Sequence, residues 1–319
     1  SRLSQTSQSP TPGLAIKVRG RKRPPGFSKV KKPGSDRVKR KKMIEVLKTG
    51  WHNTIQDLGR FGYQELGVPS SGAMDLNAFT WANKLLNNPS NASCIEMTIK
   101  GPTLKFHQPT YITITGATMP AMLNSNTVKM YRPIKIQKGD VLQFSNVTSG
   151  CRAYLGILGG FETEIILSSK SQYKGLTLHD QIDKKSLIPI KEVPFIPKGA
   201  VLKTPLIDYQ SIFLKSYKGP EYKLLNTQSK NRIKTLTFTV SRNNNRMGVH
   251  LEEKINQKLP EIWSCPSLPG TVQLTPDGTL ILLMRDAQVT GGYPRILQLS
   301  DDAINLLAQK TTKDQIKFE

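Results

Sequence analysis

The sequence predicts a mainly β protein with a few helices, arranged as two repeated barrel-like domains. Three observations carry that reading. Most apolar residues fall in short runs bounded by Gly, Pro or Asn, as strands joined by turns require. Only two stretches combine a cap with the spacing of an amphipathic helix. Finally, the halves echo one another in order. Arg60-Phe61-Gly62 is matched by Arg246-Met247-Gly248, and Asp140-Val141-Leu142-Gln143-Phe144 by Asp314-Gln315-Ile316-Lys317-Phe318.

Residues 1–42 read as a disordered basic leader that precedes the natural start. They hold 14 Lys/Arg against one acid, with Phe27 the only aromatic, and too little apolar surface to offset the entropy of ordering. Thirteen of the 23 net positive charges sit there, leaving +10 on residues 43–319. That balance favours anionic ligands or acidic partners. With no aromatic platform or groove-reading helix, it predicts no specific nucleic-acid binding. Met43 follows at once and opens a patterned strand, Ile44-Glu45-Val46-Leu47.

From there the elements follow in order. The polar, glycine-punctuated segment 54–63 comes after the first strand. Asp75 caps a helix that buries Phe79, Ala82, Leu85 and Leu86 and stops at Asn87-Asn88-Pro89. Strands are expected at 95–99, 111–115, 141–144 and 153–158. Residues 167–205 are rich in Lys, Ser and Pro and read as loops and connector, which sets domains at 43–205 and 206–319. The second half opens with a strand at 236–240. Ser300-Asp301-Asp302 then starts the other helix, with Ile304, Leu307 and Ala308 as its apolar face.

Residues 280–295 draw the functional reading. Leu280 to Met284 is a continuous apolar run that ends abruptly at Arg285-Asp286, with Gln288, Thr290, Gly291, Gly292, Tyr293 and Pro294 beyond. An acid fixed where a buried strand runs out sits on a rigid support. The Gly-Gly pair permits close approach of backbone to a ligand. Asp57 and Asp286 are the candidates to accept a proton or orient water. Arg60 and Arg285 carry the fork that matches a carboxylate, and Gln56, Gln288, Thr290, Gly291, Gly292 and Tyr293 are the remaining candidate substrate contacts. The competing reading of each arginine is a structural ion pair. Asp75 reads as a helix cap, and Glu96 as a solvated or paired strand residue. If the halves share one site, the Asp57/Arg60 and Asp286/Tyr293 stretches face each other across a cleft between domains.

Other chemistries leave no trace. Cys94, Cys151 and Cys265 are odd in number and far apart, as free thiols in a reducing cytoplasm would be. His52, His107, His179 and His250 lack metal-ligand spacing, so no metal is expected. There is no phosphate-cradling loop and no nucleophile elbow, which places any ATP site on a partner. No apolar run approaches the length of about 18 residues that a membrane helix needs.

Seven ordered motifs resemble a known family. They are Thr54-Ile55-Gln56-Asp57-Leu58-Gly59-Arg60-Phe61-Gly62-Tyr63, Gly67-Val68-Pro69, Ser71-Gly72-Ala73-Met74-Asp75, Asn245-Arg246-Met247-Gly248, Pro269-Gly270-Thr271-Val272-Gln273, Pro276-Asp277-Gly278 and Gly291-Gly292-Tyr293-Pro294. Together they resemble the 5-oxoprolinase C subunit, also labelled biotin-dependent carboxyltransferase or allophanate hydrolase subunit 2. The kinase-inhibitor antagonist and the carboxyltransferase domain of urea carboxylase are relatives. The resemblance implies two cyclophilin-like β-barrel domains. It also implies a cytoplasmic hetero-oligomer with a kinase-inhibitor-like B subunit and an A subunit. That complex cleaves the small amide 5-oxoproline to glutamate with ATP, and this chain holds no tightly bound cofactor. Two alternatives go with the family. One is a non-catalytic antagonist of a kinase-inhibitor-like partner, and the other a carboxyltransferase or amidohydrolase component that acts on a urea-like amide. The chain departs from the family pattern at Val289, at Leu297 and in Ser168-Ser169-Lys170-Ser171-Gln172.

Overall fold

A computed structural model of the chain describes residues 43–191, 193 and 208–319. The predicted leader 1–42 and the predicted boundary at 205/206 lie outside them. The first half runs through β1 (Met43–Lys48), β2 (His52–Gln56), helix α1 (Leu76–Lys84), β3 (Cys94–Thr98), β4 (Thr103–Phe106) and β5 (Thr110–Thr118). It continues with β6 (Ala121–Leu123), β7 (Asn126–Val128), β8 (Ile134–Ile136), β9 (Val141–Phe144), β10 (Ser149–Ile157) and β11 (Leu187–Pro189). These strands form two sheets, ordered β11-β1-β4-β9-β6-β7 and β2-β3-β10-β5-β8. Alternation fixes the inner faces. Ile44 and Val46 of β1, Leu104 and Phe106 of β4, and Leu142 of β9 point inward onto Ile95, Met97, Ile114 and Leu155 of the second sheet.

Strands β5 and β10 are buried on both faces because α1 covers the outer one. Thr113 and Thr115 donate from their hydroxyls to Ala82 O and Ala78 O at 2.9 and 2.7 Å. Asp75 caps that helix as predicted, accepting from Ala78 N at 3.0 Å.

The second half contains β12 (Phe213–Leu214), β13 (Ser216–Lys218), α2 (Thr227–Thr235), β14 (Phe238–Asn244), β15 (Gly248–Leu251) and β16 (Cys265–Pro266). Then come β17 (Thr271–Leu274), β18 (Leu280–Leu283), β19 (Thr290–Gly291), β20 (Arg295–Leu299), α3 (Asp301–Leu307) and β21 (Gln315–Phe318). The main sheet is ordered β12-β21-β14-β15-β18-β17-β20-β13. Its two outer strands, β12 and β13, are separated in the chain only by Lys215. That continuity bends the sheet into a nearly closed barrel and removes most of its open edge. Ser300 caps α3 as predicted. Helix α2 went unread in the sequence because it is polar nearly throughout. Its signals are the Asn226 cap, accepting from Ser229 N at 2.7 Å, and the single buried apolar residue Ile233.

One predicted echo is exact in its hydrogen bonds. Gln137 N and Thr311 N each donate at 2.7 Å to the carboxylate three residues on, Asp140 and Asp314. Phe106 N and Val240 N each donate at 2.9 Å to the carbonyls of those aspartates. The residues before them, Gly139 and Lys313, have φ of 98° and 75°. Arg60 and Arg246 both follow a strand, but in different connections: Arg246 sits in the turn between β14 and β15, Arg60 in the long loop after β2. Between the halves, Met74 from the loop before α1 is buried in the core of the second barrel.

Candidate functional site

A cavity of about 690 Å³ opens where the halves meet. His52 and Thr54 of β2, Arg152 of β10, Gln172 and Tyr173 of the following loop, and Arg246 and Asp286 of the second half line it, with Trp51, Ile99 and Met247 as apolar walls.

Its best-defined group is Arg246. Nε and Nη2 clasp Asp286 Oδ2 and Oδ1 at 2.7 and 3.0 Å. Nη2 also donates to Gly72 O at 2.7 Å, and Nη1 to Glu96 Oε1 at 2.5 Å. Glu96 Oε2 accepts from Met74 N at 2.8 Å and from the Tyr154 hydroxyl at 2.7 Å. Burial pushes the Glu96 carboxyl upward, but Arg246 and Arg152 outweigh it and hold the group below its ordinary 4.5. Burial works against charge on Arg246 too, and Asp286 and Glu96 reverse that, raising its pKa. Next to this cluster, burial and then the charge of Arg246 pull His52 below its ordinary 6.5, so a neutral imidazole faces the cavity.

Asp57 lies behind the wall. Its Oδ1 accepts from Gly59 N at 2.8 Å and from the hydroxyls of Ser169 and Ser171 at 2.6 Å each, and Oδ2 accepts from Lys170 N at 2.7 Å. The carboxylate therefore ties the 168–172 loop to the loop after β2. Arg60 is 1% exposed and donates through Nη2 to Ser171 O. Its Nε and Nη1 have no partner among the described residues. Burial lowers the Arg60 pKa, opposed by Asp57, Asp286 and Tyr173. The acids of the two halves thus act on one guanidinium. Gln56 donates to Thr54 Oγ1 and Gln172 O at 3.0 and 3.2 Å.

The other predicted contacts are placed elsewhere. Arg285, one residue from Asp286, points the opposite way and donates to Met74 O and Asn305 Oδ1 at 3.4 Å each. Thr290 and Gly291 form β19, paired with β16. Both glycines lie close to groups of the second half: a Cβ at Gly291 would stand 2.7 Å from Gln273 Nε2 and one at Gly292 3.3 Å from Ile262 O. Gln288 is exposed, and Tyr293 lines a different hollow beside His250 and Asp277. Asp286 thus lines the cavity, Asp57 and Arg60 are not among its lining residues, and the Gln288–Tyr293 group stands apart, with β19 paired to β16 and Tyr293 in another hollow.

Sequence reasoning missed Arg246, Arg152, His52, Gln172 and Tyr173 as site members. Glu96 carried a usable signal, a charge inside the apolar strand Cys94-Ile95-Glu96-Met97, and proves to be a fully buried, paired residue. Cys94, Cys151 and Cys265 are free thiols. No helix among the described residues is long and apolar enough to cross a membrane.

Comparison with known proteins gives this arrangement its family. Residues 66–319 match the model of the carboxyltransferase domain, subdomain A and B. The chain is 32% identical over 296 residues to the 5-oxoprolinase C subunit of Haemophilus influenzae, covering 87% of this chain and 91% of that one. It is 30% identical over 285 residues to the 5-oxoprolinase C subunit of Escherichia coli, covering 86% and 90%. Urea amidolyase of Saccharomyces cerevisiae is 41% identical over 131 residues, 41% of this chain and 7% of that one. Among solved structures, the K. lactis urea amidolyase superposes with a TM-score of 0.77 at 26% identity, over 86% of this chain and 18% of that one. With a family match across most of its length and two nearly full-length relatives, the chain belongs to the carboxyltransferase domain, subdomain A and B, family.

Proposed function

We propose that this chain is the C subunit of an ATP-dependent 5-oxoprolinase. It opens the lactam of 5-oxoproline to glutamate together with a kinase-inhibitor-like B subunit and an A subunit. One observation carries the reading. A chain similar over nearly its whole length to a 5-oxoprolinase C subunit has a roomy cavity, with the carboxylate of Asp286 fixed at its wall by Arg246.

In this reading Asp286 orients the attacking water and neutral His52 accepts its proton. Arg152 and Lys174, which line the cavity, are the cations placed to meet the substrate carboxylate. Arg60 stands one layer behind them and acts on Asp286 through charge. Asp57 holds the loop that presents Gln172 and Tyr173. ATP is used by the assembled complex, in the cytoplasm.

The test is ATP-dependent release of glutamate from 5-oxoproline by the A and B subunits, with and without this chain. Release that needs the chain supports the proposal, and release indifferent to it rejects it. A second reading, action on a urea-like amide, draws support from the 41% identity to yeast urea amidolyase over 131 residues. ATP consumption with urea in place of 5-oxoproline distinguishes the two.

A further inference from the structure

A smaller hollow of about 310 Å³ adjoins the main cavity and shares Ile99 and Thr311 with it as walls. That volume is at the low end for small-molecule sites, roughly 300–1,000 Å³. Lys310, Asp314, Tyr209 and Gln210 also stand around it.

Lys310 lies three residues beyond the end of α3, and its side chain turns inward. The residue is 7% exposed, and Nζ donates to Tyr209 O at 2.9 Å. That contact occupies one of three ammonium hydrogens. No carboxylate lies within ion-pair distance of Nζ among the described residues. A buried ammonium held by one hydrogen bond is costly to a fold, and such groups gather at functional sites. Burial also lowers its pKa, with Asp314 and Asp208 acting the other way.

Asp314 faces the same hollow half-used. Its Oδ2 accepts from Thr311 N and Oγ1 at 2.7 and 3.1 Å, and Oδ1 has no hydrogen-bond partner among the described residues. The small space therefore presents a cation with spare donors and a carboxylate oxygen with spare acceptors. Each of the two is engaged by backbone instead, Lys310 Nζ by Tyr209 O and Asp314 Oδ2 by Thr311 N, and they form no ion pair with each other. A simple anion entering would meet the charge of Asp314, and a simple cation that of Lys310. A molecule carrying both charges a few bonds apart satisfies both.

We propose that this hollow binds a free α-amino acid, its carboxylate on Lys310 Nζ and its ammonium on Asp314 Oδ1. The proposal is independent of the reaction above. Glutamate, the product in that reading, is one natural probe, and glycine tests the shared backbone groups alone.

Calorimetric titration of the full chain, without ATP or its partners, tests the site. The titrants are L-glutamate, glycine, glutarate (no ammonium) and n-propylamine (no carboxylate). Both amino acids should bind saturably, and the other two about thirtyfold or more weakly, as expected when one buried charge is left without its partner. Lys310→Met and Asp314→Asn should each weaken glutamate by a similar factor, and Lys310→Arg should retain part of the affinity. The asparagine keeps an oxygen for Thr311 N, so Asp314→Asn carries the test if Lys310→Met fails to fold. Absence of saturable amino-acid binding at millimolar concentration overturns the proposal. So does glutarate binding as tightly as glutamate, or undiminished binding in the folded variants.

Discussion

Arg246 and Glu96 meet across the two halves of the molecule, with Nη1 of the arginine 2.5 Å from Oε1 of a glutamate that has no solvent exposure. The same guanidinium grips Asp286 by its other edge and Gly72 by its backbone carbonyl. One cation thus pairs with two buried carboxylates, with Arg152 Nε a second cation 3.8 Å from the same Glu96 oxygen, and pins the loop before α1 to the second barrel. Arg246→Met strands Asp286 and leaves Glu96 with Arg152 alone, and should lower unfolding stability by about 3–5 kcal/mol. In Glu96→Gln/Arg246→Met the loss should be less than the sum of the single losses, because the charges the pair was offsetting are partly gone. Strictly additive midpoints in a urea titration would show that the two residues are not coupled.

Glu96 also sets an acid limit. Its folded pKa lies below the ordinary 4.5, so its ionised form contributes stability above pH 4.5 that disappears as pH falls through the lower folded value. Stability measured from neutral pH downward should therefore drop below about pH 4.5 more steeply in the native protein than in Glu96→Gln. Equal slopes for the two would remove Glu96 from the acid transition.

Two glycines in left-handed backbone separate strain from contact. Gly72 has φ of 87°, and a Cβ there would stand 2.8 Å from the backbone of Leu58. Gly62 has φ of 86° with nothing within 4 Å. Gly62→Ala should cost about 1 kcal/mol, the conformational penalty alone. Gly72→Ala should cost clearly more and displace the carbonyl that Arg246 holds. Similar melting temperatures for the two variants would contradict this packing argument.

Asp57 and Asp286 should fail differently. Asp286→Asn keeps size and much of the hydrogen bonding, so the fold should survive while turnover of the assembled complex falls by on the order of a hundredfold as the attacking water loses the carboxylate that orients it. Asp57→Ala removes four hydrogen bonds that hold the 168–172 loop. It should destabilise by about 1–3 kcal/mol and raise KM more than it lowers kcat, since Gln172 and Tyr173 lose their position. An Asp57→Ala variant with native KM would confine the residue to folding.

Local sequence information determined much of this protein. Period-two alternation marked β1 and β9, because inward and outward residues of a strand must alternate whatever surrounds it, while β4, with the same pattern, was not read. Caps at Asp75 and Ser300 were legible because a side chain three residues from an open N–H satisfies it locally. The Asp140 and Asp314 turns repeat for the same reason. Helix α2 escaped notice, its stability coming from an asparagine cap and one buried isoleucine rather than an apolar stripe.

Only the tertiary structure decided which polar residues share a space. Glu96 lies 150 positions from Arg246, and Asp57 lies 114 from Ser171. No local pattern encodes such pairings, the first of which depends on how the halves dock and the second on how a distant loop of the first half folds back. Neighbours in sequence were also driven apart. Arg285 and Asp286 leave β18 on opposite sides, and Gly291 lies close to Gln273 instead of lining the cavity. Charge acts through space with weak regard for chain order, whereas capping and alternation act through a few bonds. The sequence therefore determined the elements, and the docking of the halves determined the site.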